Sequence, residues 1–295
     1  LLLAKIPLES REDRIFELVN LLNYGIDLIT KQKQRTQLAN LNLIACRKAK
    51  SAVAYQAARE YGNIGLSLLG ENAWEQEYQM SLAFHNELTE LASLCGDFTA
   101  MEQLIEKVTA QTRSLIEQVD VYRIRIQSNI SQNKPAEAIT IGQKFLQNLG
   151  VTFPDKPTEN DIKQAINEIS LLIVDRDIED LVNLPMMTDE VKIAIIEIAN
   201  SIMSAAYICG SPLFPLLIAL SVKLSIEYGN TSLSASIYPP YGIIACSMMQ
   251  DVDTGVKFGE LALQVASKFN AKAAKPNILN VVATFILHRK SHLKT

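Results

Sequence analysis

Helix-to-helix turn signals recur in this sequence at a spacing that few architectures produce. They fall at Gly96-Asp97, Asn133-Lys134, Gly210-Ser211 and Gln250-Asp251, so the successive intervals are 37, 77 and 40 residues, the middle one about twice the others. On either side of these turns the apolar residues recur at helical spacing, as in Ile15, Leu18 and Leu22, or Ile162, Ile166, Ile169 and Ile173. A unit of two antiparallel helices repeated every 34–45 residues or so is the mark of an α-solenoid. The fold class read from this pattern is all-α: a superhelix of antiparallel helix pairs, with about fourteen helices.

Composition agrees. Glycine and proline together number 22 of 295 residues and the aromatics 19, while 48% of the chain is apolar. A β-sandwich or barrel needs a turn every 8–12 residues or so, and this chain has too few turn-formers for that. Disorder is excluded because the apolar content is large enough to offset the ordering entropy. The charge balance, 28 − 32 = −4, leaves no electrostatic footprint for nucleic acid. The four cysteines, Cys46, Cys95, Cys209 and Cys246, lie far apart in or beside apolar stretches, which reads as small core residues rather than disulfides or metal ligands.

The 25 residues from 198 to 222 carry no charge, long enough to span a bilayer. Gly210-Ser211-Pro212 in their middle is a stop-and-restart signal, so two buried helices with a tight turn are expected instead of a span. No charged leader with a cleavage site is present, and a cytoplasmic location is expected. The chain lacks an initiator Met and opens in mid-pattern at Leu1-Leu2-Leu3, as a segment of something longer does.

Capping patterns divide the helices. Ser10 with Asp13 and Thr158 with Asp161 have capping-box spacing; Thr188 precedes two acids that favour a helix N-terminus. Asn72 is expected to cap a long helix through Trp74, Tyr78, Leu82 and His85, with Trp74 packed between repeats. A last helix is expected from about Ala273, carrying Leu279, Val282 and Ile286. Gly62, Gly65 and Gly142 lie inside helices, where each costs about 1 kcal/mol against Ala, and close helix packing is the reason to retain them. The stretch 151–157, with two prolines, is the clearest connector. The expected organisation is 1–30 leading in, 31–150 repeats, 151–187 connector and short helices, and 188–295 further helical pairs.

Chemistry-bearing motifs are absent. Neither phosphate-cradling glycine pattern occurs, and there is no His-Glu-x-x-His. His288 and His292 are spaced for one helix face, but Arg289 and Lys290 between them repel a cation. Ser131-Gln132-Asn133-Lys134 matches Ser-x-x-Lys within a turn and without companion motifs. Phe84-His85-Asn86-Glu87-Leu88 faintly echoes a histidine-kinase phosphoacceptor box, yet His85 sits on an apolar stripe and reads as a core or groove histidine. The sequons at Asn129 and Asn230 carry no meaning without secretion. No catalytic, metal or cofactor residue is therefore assigned.

Gly96-Asp97-Phe98-x-x-Met101-Glu102 and Asn133-Lys134-Pro135-x-Glu137-Ala138-Ile139 resemble the start of the second helix of a tetratricopeptide repeat, in degenerate form. At larger scale, "LNLIACRKAKSAVAYQAAREYGNIGLSLLGENAW", "DLVNLPMMTD", "LSIEYGN" and "TFILHRKSHLKT" resemble the helical middle region of large bacterial multi-sensor signalling kinases. In that family a serine/threonine kinase domain and an AAA-type ATPase precede the helical repeats, and a GAF domain and usually a histidine kinase follow. The resemblance implies that residues 1–30 end the ATPase module and that ATP belongs to other domains of the parent. Two departures from the family's pattern are Pro239-Pro240, inside an expected helix, and Arg289, in place of an aromatic.

The expected function is a non-catalytic interaction and signal-relay region, coupling an ATPase module to downstream sensor and kinase domains. Its partners would be proteins or neighbouring domains, with neither nucleic acid nor a membrane span involved. The alternative is a small-molecule sensor with an apolar pocket around 193–222. Pro239-Pro240 is expected to kink or break the helix over 232–249 at 236–241. Such a bend would either curve the superhelix locally and do no more, or open a partner groove beside Tyr238 and Tyr241; His85 is a further groove candidate.

Overall fold

A computed structural model describes residues 14–272 and 274–290. The Ser10–Asp13 box, the Ala273 side chain and His292 lie outside the described residues. Among those described there is no strand, only an isolated parallel bridge between Met186 and Asn230. The chain forms two compact units, Leu1–Arg125 and Ile126–Thr295. The division falls within a helix and not at the 151–157 connector.

In the first unit, α1 (Ile15–Tyr24), α2 (Gln32–Ser51), α3 (Tyr55–Leu68), α4 (Ala73–Gln76), α5 (Tyr78–Leu94) and α6 (Phe98–Gln111) follow in order. α1 ends before Gly25, and Ile26 and Ile29 belong to a 3-10 turn and its end rather than to one long stripe. α2 packs on α3 and α5 on α6, each pair joined by a tight turn, which makes each an antiparallel hairpin. The turns share one device, a left-handed residue after the helix and a 6→1 hydrogen bond that satisfies an orphan carbonyl. Gly96 has φ 75°, and Asp97 N–H donates to Ala92 O at 2.9 Å. Val53 has φ 63°, and Ala54 N–H donates to Ala49 O at 3.0 Å. A β-branched residue rarely adopts that conformation, so this turn has no glycine signal in the sequence.

Glycine lets α3 approach α5. A Cβ on Gly65 would run into the Phe84 ring, and one on Gly62 would lie 2.8 Å from Leu88 Cδ2. The Asn72 expectation needs correction. Asn72 precedes only the four-residue α4 and makes no side-chain cap; the long helix starts at Tyr78.

The second unit takes in the C-terminal part of α7 (Val119–Ser131), followed by α8 (Pro135–Asn148), α9 (Glu159–Ile173), α10 (Glu190–Ile208), α11 (Leu213–Tyr228), α12 (Ser234–Ser247), α13 (Val252–Lys268) and α14 (Lys275–Val281). Asn133, Gly210 and Gln250 all have positive φ, and Lys134 and Ser211 repeat the 6→1 bond, to Asn129 O and Ala206 O. The double-length interval now has a physical account. α8 packs directly on α10, where a Cβ on Gly142 would collide with Ile202. α9, which lies between them in sequence, packs instead on α11. The residues between α8 and α10 are thus laid aside from the α8–α10 contact.

Several local expectations change. The Thr158–Asp161 capping box forms, but α10 is capped by Asp189, which accepts from Val191 and Lys192 N–H, and not by Thr188. α12 is continuous through Pro239 and Pro240, so of the kink or break expected at 236–241 the break does not occur. The reason lies in its packing: α12 lies tightly on α13, with Gly242 and Gly255 in backbone contact, so a Cβ on Gly242 would sit 2.8 Å from Gly255 O. At the end of the chain Ile278, Val282 and Ile286 point inward, while Leu279 is exposed. Cys46 and Cys246 are buried, Cys95 is half-buried and Cys209 is exposed; the last falls in the turn after α10, beyond the packed stripe. The uncharged stretch forms α10 and α11 with a turn at Gly210. α10 is long and apolar enough to cross a membrane by length and composition alone, and half of that window is buried within the protein.

Candidate functional site

The first unit carries an open cleft of about 310 Å³ between the second helices of its two hairpins. Ala100, Gln103, Leu104 and Lys107 supply one wall at i, i+3, i+4 and i+7, a single face of α6. Arg59 and Asn63, one turn apart on α3, supply the other, and Leu88 of α5 lies between. The turn at Gly96-Asp97 organises this cleft. Asp97 Oδ1 accepts the Ala100 N–H at 3.1 Å, capping α6, while Oδ2 pairs with Arg59 Nη2 at 2.6 Å. The guanidinium, and then the Ala100 amide, hold the Asp97 carboxyl below the usual carboxylate range. Among the described residues no hydrogen bond or ion pair engages Asn63, Gln103 or Lys107. The cleft therefore offers two uncommitted amides and one uncommitted cation over an aliphatic floor, and no acid lines it.

The residues singled out in the sequence do not line a groove. His85 is 1% exposed, and Tyr238 and Tyr241 are 0% exposed. Burial pushes the Tyr241 hydroxyl up to about 12 and raises that of Tyr238 as well. The expected partner groove is thus corrected to core: with α12 unbroken, both tyrosine rings pack on Phe258, at 4.7 and 5.8 Å between centroids. His85 lies in the other unit, its ring 4.8 Å from that of half-buried Trp74. Its Nδ1 donates to Ser81 O at 2.7 Å, which leaves Nε2 as an acceptor. His85 Nε2, Trp74 Nε1 and Ser81 Oγ are all buried without a hydrogen-bond partner.

The second unit joins two of the sequence blocks noted above. Asn230 is fully buried and clamps the strap before α10. Its Nδ2 donates to Leu181 O at 2.7 Å, its backbone N–H to Pro185 O at 2.9 Å, and its carbonyl accepts from Met187 N–H at 2.9 Å. Tyr238 OH completes the set, donating to Asn230 Oδ1 at 2.6 Å. Gly229 is required beside it: its φ is 108°, and a Cβ there would strike Pro185 O. With its side-chain nitrogen so engaged, Asn230 is no glycan acceptor in the folded chain. A second open cleft, also about 310 Å³, lies between α9, α11 and the 151–157 connector. Its floor includes Phe153, Leu216 and Leu220, and the Glu168–Lys223 pair at 2.9 Å stands on its wall. The polar residues there are largely self-satisfied, since Asp161 caps its own helix and Gln164 hydrogen-bonds to Glu168. Leu216, Ala219 and Leu220 are the part of 193–222 that reaches this cleft; Ile195, Ile198, Ile202, Leu217 and Val222 are packed as core.

Arg59, Asn63, Gln103 and Lys107 were not foreseen. Their helical spacing is visible in the sequence, but polar helix faces are general, and only the approach of α3 to α6 separates this one from the rest. No cluster of His, Cys, Asp and Glu able to hold a metal occurs among the described residues.

No protein-family model matches the chain, and no solved structure matches it significantly. Among curated proteins, the hybrid signal transduction histidine kinase G of Dictyostelium discoideum is 21% identical over 314 aligned positions. That similarity takes in 95% of this chain, which spans 9% of the length of the relative.

Proposed function

We propose that this chain is a non-catalytic helical-repeat region of a multi-domain signalling kinase, acting as an interaction and relay element between other domains. The observation that carries the reading is the distant similarity to a histidine kinase along nearly the whole chain, on a sequence without a phosphate-binding motif. The hairpins support it. Turns at Val53, Gly96, Asn133, Gly210 and Gln250 share a left-handed residue, and stacked helical pairs of this kind present extended binding surfaces. A superhelix of degenerate tetratricopeptide-like pairs, an adjacent ATPase module and a cytoplasmic setting belong to the same proposal.

The test is calorimetric titration of the purified chain against the polypeptide segments encoded on either side of it, with an ATP-hydrolysis assay in parallel. Saturable binding to a flanking segment without phosphate release is expected. Phosphate release that survives re-purification, or the absence of binding to either segment, would overturn the reading. The sensor alternative predicts stabilisation by a small molecule at the second cleft, lost in Leu216→Glu.

A further inference from the structure

The first-unit cleft is chemically asymmetric in a way that selects an occupant. Its lining holds Arg59 and Lys107; Arg59 is neutralised by Asp97 at 2.6 Å, so Lys107 is the unpaired charge among the lining residues, in a chain whose net charge is −4. Arg59 is already committed to Asp97, which cancels most of its charge, so it contributes a fixed wall rather than a free binding group. Lys107 is uncommitted, as are the carboxamides of Asn63 and Gln103. A carboxamide carries both donors and an acceptor, the complement of a peptide group. Leu88, Ala100 and Leu104 give an aliphatic floor. A compact anion such as phosphate calls for several convergent charged donors or a free arginine fork, and this cleft has neither.

We propose that this cleft binds a short acidic peptide segment in extended form. A carboxylate meets Lys107, the peptide groups pair with Asn63 and Gln103, and an alternate aliphatic side chain lies over Leu88 and Leu104. Alternation of side chains along an extended segment places acid and aliphatic groups on opposite sides. The volume, about 310 Å³, is at the small end of ligand sites, which limits the segment to a few residues. The inference rests on the interaction reading above and names the partner chemistry of one surface within it.

The probe is a fluorescein-labelled peptide of alternating Glu and Leu, compared by anisotropy with its Gln/Leu and Lys/Leu counterparts. The variants are Lys107→Glu, the double variant Asn63→Ala/Gln103→Ala, and Lys144→Glu, an exposed position of the second unit, as a control. Lys107 is exposed, and circular dichroism verifies that each variant is folded. The acidic peptide is expected to bind roughly tenfold more tightly than the neutral one, an advantage lost in Lys107→Glu, kept in Lys144→Glu and weakened by salt. The double carboxamide variant is expected to weaken both the acidic and the neutral peptide. Equal binding of acidic and neutral peptides, preference for the basic one, indifference to Lys107→Glu, or displacement by millimolar inorganic phosphate would overturn the proposal. If the acidic peptide fails while a flanking segment still binds, the cleft assignment falls and the relay reading stands; if neither binds, both fall.

Discussion

Tyr238 donates its hydroxyl hydrogen to Asn230 Oδ1 at 2.6 Å, with both residues wholly buried. The bond ties α12 to the Gly229-Asn230 corner, and through Asn230 Nδ2 to Leu181 O on the strap before α10. Removing one partner leaves the other unsatisfied in the core. Tyr238→Phe is expected to cost about 1–3 kcal/mol and Asn230→Ala more, because it orphans both the hydroxyl and the Leu181 carbonyl. Urea unfolding measures both; an unchanged midpoint for Asn230→Ala would show that the clamp contributes nothing.

Burial holds the His85 pKa below its ordinary value of 6.5, and the nearby Lys107 charge acts in the same direction. A histidine with a folded pKa below its unfolded one favours the folded state above the unfolded pKa. That stability is lost as pH falls from about 6.5 toward the folded value. Trp74 is the single tryptophan and its ring touches His85, so its emission reports the titration. Loss of stability and a change in emission are expected on acidification below about pH 6.5, both abolished by His85→Gln. Emission and stability that stay constant from neutral to about pH 5 would contradict this.

Gly65→Ala raises helix propensity by about 1 kcal/mol, yet is expected to destabilise by about 1–3 kcal/mol because the new methyl meets the Phe84 ring. The double variant Gly65→Ala/Phe84→Leu should recover part of the loss. A Gly65→Ala protein more stable than the parent would mean that α3 and α5 are not in close contact.

Trp74→Phe removes a buried N–H that has no partner, so it is expected to be nearly neutral, within about 1 kcal/mol. Trp74→Ala also removes the ring that packs on Tyr78 and His85. It should cost about 3 kcal/mol, the lower end for a large aromatic, since the side chain is half-buried. Thermal unfolding of the two variants separates the ring from its polar atom. A large loss in the phenylalanine variant would indicate a partner for Nε1.

Much of the helical framework was legible because its causes are local. Thr158 with Asp161, Asp97 after Gly96 and Pro135 after Asn133 act on their own first turns, so capping and punctuation read directly from neighbouring residues. The glycines of α3 and α8 mark close-packing positions already in the sequence, whereas their partners, Phe84 and Ile202, lie too far along the chain for any local pattern to name. Val53 leaves no local signal, because a valine in the left-handed region is held there by the 6→1 bond of Ala54 to Ala49 and not by its own preference.

What the sequence determined by itself is most of the helices, the repeated turn and the absence of phosphate-binding motifs, since each depends on residues within a few positions of one another. Only the tertiary structure decided the rest. It carried α12 through Pro239 and Pro240 and buried Tyr238, Tyr241 and His85. It also set α9 aside so that α8 meets α10, and brought Arg59 and Asn63 opposite Gln103 and Lys107. The physical reason is that an amphipathic helix specifies that a face be covered, but not by which helix. That choice depends on packing between residues tens of positions apart, which no local pattern records.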